Sequence, residues 1–218
     1  MILSLGLGWM AALGFSARQE SILATDYFPL VVGNKWEYES SVGSIKVNYT
    51  DEVLTAVQID GMEAFPIKTT MEGEGRGQVY YRANGDSVLM LGLFTDRLLP
   101  KPREVIKVGK GTVKWVYVGE AAVKGDQNLL NMHAESKAIG KRKVLGKEAE
   151  IIQVQFQSEI VQGAGTKATI KQVALYARGI GMIEMTEETK SGDRTIKRVV
   201  RLTQFVPAKK EGTCESRS

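Results

Sequence analysis

The sequence predicts an all-β protein, a curved antiparallel sheet or partial barrel built from long hairpins. Two observations lead to this prediction. From Tyr27 onward, apolar residues recur at every second position, which is the period of half-buried strands. Short glycine-containing turn sequences separate these segments, and no long segment has the apolar period of an amphipathic helix. With 218 residues, 43% of them hydrophobic, the chain is large and apolar enough to bury a core.

Residues 1–17 are predicted to be a signal peptide. The stretch from Ile2 to Ala17 carries no charge, Arg18 is the first charged residue, and Gly14 and Ser16 supply the small side chains of a cleavage site. An uncleaved membrane anchor is the alternative, but the run is shorter than the roughly 20 residues that span a bilayer. We therefore expect an exported protein, periplasmic or extracellular, that is not transmembrane after signal removal.

Residues 18–207 are predicted to form an antiparallel β domain. The clearest alternations place one set of apolar side chains on a core face: Trp36 and Tyr38; Ile45, Val47 and Tyr49; Val79 and Tyr81; and Ile152, Val154 and Phe156. Turn sequences join the segments as hairpins at Asp60-Gly61, Gly73 to Gly77, Asn84-Gly85, 124–126, Leu145-Gly146, 163–165 and Ser191-Gly192.

A boundary between two sub-units is predicted near residues 99–103. Pro100 and Pro102 lie too close together for both to sit in a regular ladder. On either side a short pattern recurs, Lys35-Trp36-Glu37-Tyr38 in the first half and Lys114-Trp115-Val116-Tyr117 in the second. Two related β units that share one sheet would explain this repeated pattern, and so would the general preference of Trp and Tyr for strands.

Two short elements, one at residues 27–38 and the other at residues 176–181, resemble segments of a family of exported bacterial β proteins that lack an assigned activity. The first comprises Tyr27-Phe28-Pro29-Leu30, Gly33-Asn34, Trp36 and Tyr38, a YFPLxxGNxWxY-like pattern. The second is Tyr176-Ala177-Arg178-Gly179-Ile180-Gly181, a YAxGxG-like pattern in which the family often has proline at the position of Arg178. The resemblance implies a curved antiparallel sheet or partial barrel, loosely like periplasmic lipoprotein carriers, and it implies no catalytic residues.

The sequence does not predict an enzyme. The only histidine, His133, shares the polar face of the strand from Leu129 to Ala138 with Glu135. A solvated strand face explains this pair better than acid-base chemistry, because no nucleophile lies at a recognisable spacing. The only cysteine, Cys214, lies in the polar stretch 208–218, which predicts a disordered tail. We therefore expect no metal and no cofactor.

The charge balance does not argue for a nucleic-acid partner. Lys and Arg total 29 against 25 Asp and Glu, a net charge of only +4. Two basic clusters are candidates for contact with anionic lipid headgroups or envelope polymers, and ordinary charged faces are the alternative. Their members are Lys137, Lys141, Arg142, Lys143 and Lys147 in one, and Arg194, Lys197, Arg198 and Arg201 in the other.

Two hypotheses for the function follow. In the first, the protein is an exported cell-envelope binding module whose concave apolar face holds a lipid or other hydrophobic ligand, with Trp36, Tyr38, Trp115 and Tyr117 as ligand-binding residues. In the second, it is a structural or interaction scaffold of the bacterial envelope with a protein partner and no small-molecule ligand. The two differ in whether the interior is hollow or full.

Overall fold

The computed structural model of the chain describes residues 22–93, 98–121, 128–161 and 167–209. These residues form one short 3-10 helix, Ala24–Asp26, and thirteen strands, which confirms the all-β prediction. The strands are β1 (Lys35–Val42), β2 (Ile45–Val53), β3 (Val57–Ile59), β4 (Met62–Met71), β5 (Glu74–Asn84), β6 (Ser87–Leu93), β7 (Leu98–Lys107), β8 (Val113–Glu120), β9 (Leu129–Val144), β10 (Lys147–Val161), β11 (Lys167–Ala177), β12 (Gly181–Ser191) and β13 (Arg194–Val206). The predicted signal peptide, Cys214 and the turns predicted at 124–126 and 163–165 lie outside the described residues.

The strands form one antiparallel sheet made of two meanders. In the first, β1, β2, β4, β5, β6 and β7 follow one another across the sheet, and β3 pairs only with β4. In the second, β8 to β13 follow one another in the same way. β1 pairs with β13 from Lys35↔Val206 to Val42↔Arg198, and this pairing joins the two meanders.

The path of twelve strands curls into a nearly closed, barrel-like sheet. Its edge strands β7 and β8 approach each other, but the described residues form no backbone ladder between them. Side chains of the second meander donate instead to backbone carbonyls of β7: Trp115 Nε1 to Glu104 at 3.3 Å, the Tyr117 hydroxyl to Lys101 at 3.2 Å, and the Ser136 hydroxyl to Lys107. We refer to this junction of β7 and β8 as the seam.

Pro100 and Pro102 lie inside β7. In the β6–β7 ladder the paired residues jump from Leu98 to Arg103, so both prolines fall in an irregular stretch of an edge strand. Edge strands accommodate proline because its missing N–H interrupts no central ladder. The first meander passes into the second a few residues later, in the loop at 108–112. A relationship between the two halves stays a prediction.

Residues 22–34, here termed the plug, link one end of both meanders. The Ala24 N–H donates to the Gly85 carbonyl in the β5–β6 turn at 3.0 Å. The Gly179 N–H, in the β11–β12 turn, donates to the Asp26 carbonyl at 2.7 Å. Because these turns belong to different meanders, the plug lies across the end of the barrel-like sheet.

Gly33 and Asn34 form a turn just before β1. Gly33 has a φ of 88°, which favours glycine, and the Asn34 N–H donates to the Val31 carbonyl at 2.9 Å. The buried Asn34 side chain donates to the Pro29 carbonyl at 3.0 Å and accepts the Ala208 N–H at 2.8 Å. One amide therefore holds the plug to the residues that follow the last strand.

The predicted core faces agree with the structure except at the end of the first hairpin. Trp36, Tyr38, Ile152 and Val154 are buried, and Val47, Tyr49, Val79, Tyr81 and Phe156 are half-buried. The prediction for Ile45 is wrong, since it is 66% exposed. β4 pairs with β2 only from Tyr49 to Val53. Among the described residues, the outer part of β2 therefore has no strand beyond β1 beside it, and its apolar face stays uncovered.

Candidate functional site

The barrel-like sheet encloses a cavity of about 420 Å³. Phe28 of the plug contributes to its wall at one end, and strands of both meanders supply the remainder. The lining residues are Phe28, Trp36, Tyr38, Asp51, Ile67, Tyr81, Met90, Leu93, Arg103, Val105, Ala121, Leu130, Met132, Phe156, Ser158, Ile160, Ile170, Gln172, Tyr176, Gly181 and Met182. Most of them are apolar or aromatic, and two, Asp51 and Arg103, have an acidic or a basic side chain. A largely apolar wall with a few polar groups is typical of a small-molecule site.

The closed end of the cavity is built from the two sequence elements noted above. Trp36 Nε1 donates to the Ile180 carbonyl, and the Tyr38 hydroxyl donates to the Met182 carbonyl at 3.2 Å. A Cβ at Gly181 would lie 2.9 Å from Trp36 Nε1, and Gly181 has a φ of 110°. Glycine is therefore required there both by the space and by the backbone. The β11–β12 turn therefore packs against the Trp36 ring and holds it in place.

Aromatic rings line this end of the cavity. The Phe28 ring centroid lies 5.1 Å from that of Tyr81 and 6.2 Å from that of Tyr176, so the plug contacts both meanders through their tyrosines. Burial raises the pKa of Tyr38, Tyr81 and Tyr176 above the usual range of the phenol. Their hydroxyls are therefore neutral at physiological pH and can donate or accept hydrogen bonds.

Asp51 is the acidic group of the cavity. It lies opposite Trp36 in the β1–β2 ladder, which turns both side chains to the interior. The Thr69 hydroxyl donates to Asp51 Oδ1 at 2.6 Å. Burial raises the pKa of Asp51 to about 6, and the Thr69 hydrogen bond and the charge of Arg198 oppose this rise. Asp51 is half-buried and is among the residues that line the cavity.

Arg103 is the basic group of the cavity. It projects from β7 beside Met90 of β6, and its Nη2 donates to the Met90 sulfur at 3.4 Å. Burial lowers the pKa of Arg103, while the Tyr81 and Tyr117 hydroxyls oppose this effect. Within the described part of the chain, no carboxylate lies within 4.0 Å of its guanidinium.

The four aromatic residues predicted as ligand-binding fall into two pairs. All four are buried in the same core, but only Trp36 and Tyr38 are among the described residues that line the cavity. Trp115 and Tyr117 lie at the seam, where they bond to the backbone of β7. Trp115 also packs edge-on against Phe156 with ring centroids 6.1 Å apart.

Sequence reasoning missed both charged residues of the cavity. A signal for Asp51 existed, because it alternates in phase with Tyr49 and Val53 on the inner face of β2. Arg103 had no such signal, since the irregular pairing around Pro100 and Pro102 hides which way it faces.

The basic clusters and His133 lie outside the cavity lining. His133 is exposed on β9, as the strand alternation predicts. Lys141 pairs with Glu148 at 3.6 Å and Lys197 with Glu188 at 3.3 Å. Arg198 Nε donates to the Ser40 hydroxyl at 2.9 Å. Several of these cations therefore have acceptors within the protein itself.

The described residues offer neither a metal site nor a membrane-spanning helix. They contain no group of three His, Cys, Asp or Glu side chains placed to hold a metal ion. Nor do they include a helix of the length and apolarity needed to cross a membrane.

No known family matches the chain, and no curated protein is similar to it in sequence. Two solved structures resemble it in fold. One is a candidate lipoprotein from Parabacteroides distasonis, with a TM-score of 0.55 and 9% identity over 86% of this chain and 100% of that one. The other is a candidate exported protein with a YmcC-like fold from Bacteroides fragilis, with a TM-score of 0.44 and 10% identity over 81% of this chain and 97% of that one. At such identities the first likeness supports the fold alone.

Proposed function

We propose that this protein is an exported, non-catalytic binding module of the cell envelope that holds a hydrophobic ligand inside its barrel-like sheet. The observation that carries the proposal is the cavity of about 420 Å³, which lies within the size range of small-molecule sites, about 300 to 1,000 Å³. A purely structural barrel would fill this space with side chains, because protein interiors pack closely.

The composition of the wall supports a hydrophobic ligand. Phe28, Trp36, Phe156 and Met132 present flat or flexible apolar surfaces, and Met side chains adapt to irregular ligands. The tyrosine hydroxyls, Ser158 and Gln172 add a few polar contacts that can orient a bound molecule.

The support for export to the envelope comes from the sequence, and the class of a protein with a similar fold agrees with it. Residues 1–17 have the apolar run and small residues of a signal peptide. The structural relative from P. distasonis is described as a candidate lipoprotein, which is an envelope protein class.

A scaffold function is the second candidate, and the outer face of β8 favours it. Val116 and Val118 are 53% and 51% exposed on this strand, and the neighbouring Leu129 is 52% exposed. Exposed apolar side chains grouped on one face are typical of a surface that binds a protein partner. In this case the protein would carry no small molecule, and its interior would be irrelevant to its role.

The two candidates are separated by filling the cavity. Ile170→Trp puts a larger side chain into the cavity, and the matched Val116→Trp puts the same side chain on the outer face of β8. We expect wild type and Val116→Trp to bind the neutral probe N-phenyl-1-naphthylamine in a fluorescence titration, and Ile170→Trp to bind it at least about tenfold more weakly. Thermal melts establish that each variant is folded.

Native mass spectrometry of protein purified from its own envelope fraction gives a second readout. A small-molecule adduct on wild type that is lost in Ile170→Trp supports the binding module. Equal probe binding by all three proteins, with no adduct on any of them, would reject it in favour of the scaffold.

A further inference from the structure

Arg103 is a half-buried cation that lines the cavity and has no counter-ion among the described residues. Native proteins seldom withdraw an arginine from water unless a carboxylate or a set of good acceptors compensates its charge. Among the described residues, Arg103 donates to the thioether sulfur of Met90, which accepts hydrogen bonds only weakly. The polar groups that influence it electrostatically are the hydroxyls of Tyr81 and Tyr117, which are neutral.

The acidic group of the cavity does not compensate Arg103. Asp51 accepts a hydrogen bond from Thr69, and the cation that acts on it is Arg198. Neither Asp51 nor any other described carboxylate lies within 4.0 Å of the Arg103 guanidinium. The cavity thus contains one carboxylate that has polar partners of its own and one guanidinium that has no counter-ion among the described residues.

We infer that the cavity binds a single-chain anionic amphiphile, with its carboxylate or phosphate head on the Arg103 guanidinium and its alkyl chain along the apolar wall. This inference rests on the proposed binding function and names its ligand class. The planar guanidinium donates two parallel hydrogen bonds to either kind of head, and such charge-assisted pairs are strong when water is excluded. Phe28, Val105 and Met132 of the same cavity present the apolar surface that an alkyl chain requires.

The volume of the cavity limits the ligand to one chain. A dry cavity of about 150 Å³ holds a benzene molecule, so about 420 Å³ holds on the order of 15 to 20 non-hydrogen atoms. This is the size of a medium-length alkyl chain with one head. A diacyl phospholipid is far too large to be enclosed.

The test compares amphiphiles that share a dodecyl chain and differ in their heads. Dodecanoate and dodecyl phosphate carry the two anionic heads, dodecanol is neutral, and dodecyltrimethylammonium is cationic. Each amphiphile is titrated as a competitor of N-phenyl-1-naphthylamine for the full-length protein at about pH 7.5. At this pH the carboxylate and the phosphate are both anionic. We expect wild type to bind at least one anion ten times or more as tightly as dodecanol, a difference of about 1.4 kcal/mol, and the cation most weakly. The anion that binds with the higher affinity identifies the head group that the cavity prefers.

Arg103→Gln should abolish the preference for the anions while binding of dodecanol persists, and Arg103→Lys should retain part of it. Arg82→Gln is the matched control, because Arg82 lies two strands away on β5, also contacts a methionine sulfur, and is not among the residues that line the cavity. It should keep the full preference. Arg103→Gln should also melt at or above the wild-type temperature, since it removes an uncompensated charge.

The inference is overturned if wild type binds dodecanol as tightly as both anions, or if Arg103→Gln keeps the preference. In either case binding of dodecanol itself leaves the proposed function intact. If neither the probe nor any amphiphile binds, the proposed function fails and this inference fails with it. A large loss of thermal stability in Arg103→Gln would show that the guanidinium has a structural role, which also overturns the assignment.

Discussion

Burial raises the pKa of the Asp51 carboxyl group from the usual 3.8 to about 6. Between these values the folded protein holds a proton that the unfolded chain has released, so the free energy of unfolding decreases as the pH rises through this window. At neutral pH, Asp51 is charged in both states, and the folded state bears the cost of a charge taken out of water. We therefore expect Asp51→Asn to be more stable than wild type at neutral pH.

The magnitude follows from the pKa difference. Each pH unit between the two pKa values is equivalent to about 1.36 kcal/mol, so the full effect above pH 6 is about 3 kcal/mol. The Thr69 hydroxyl can still donate to the Asn oxygen, but the new amide N–H groups need acceptors of their own. We expect a gain of about 1 to 3 kcal/mol at about pH 7.5 that shrinks to less than about 1 kcal/mol at about pH 4.

Urea unfolding at the two pH values measures this difference. The matched control is Asp60→Asn, which changes the same charge in an exposed turn, where φ is 50° and Asn is well tolerated. The control should behave like wild type at both pH values. If Asp51→Asn is no more stable than wild type at about pH 7.5, or gains equally at both pH values, burial does not control this carboxyl group.

Two further predictions separate the closed end of the cavity from the seam. Trp36→Ala and Trp115→Ala should each lower the free energy of unfolding by about 3 to 5 kcal/mol, because each truncates a large buried ring. Only Trp36→Ala should also change the affinity for the neutral probe, since Trp36 lines the cavity, and equal effects of the two on affinity would contradict this division. Gly181→Ala should cost at least about 1 kcal/mol in a thermal or urea melt, because its Cβ would meet Trp36 in a backbone conformation that favours glycine. A melt like that of wild type would show that the β11–β12 turn does not support the ring.

Local patterns in the sequence predicted the strands and most of their faces. The alternation around Trp36 and Tyr38 located β1 and its buried side, and Leu145-Gly146 located the β9–β10 turn. The same reasoning was wrong at Ile45, because burial there depends on whether a second strand covers the hairpin. That strand, β4, reaches only as far as Tyr49.

The sequence by itself determined the hairpins, since strand period and turn residues act over a few positions. Only the tertiary structure decided that the interior contains a cavity and which side chains reach it. The pairing of β1 with β13 brings together residues such as Ser40 and Arg198, which are 158 positions apart. Trp36 and Trp115 have similar local sequences, yet one lines the cavity and the other bonds across the seam. The curvature of the whole sheet sets the distance between opposite walls, and no local pattern contains that distance.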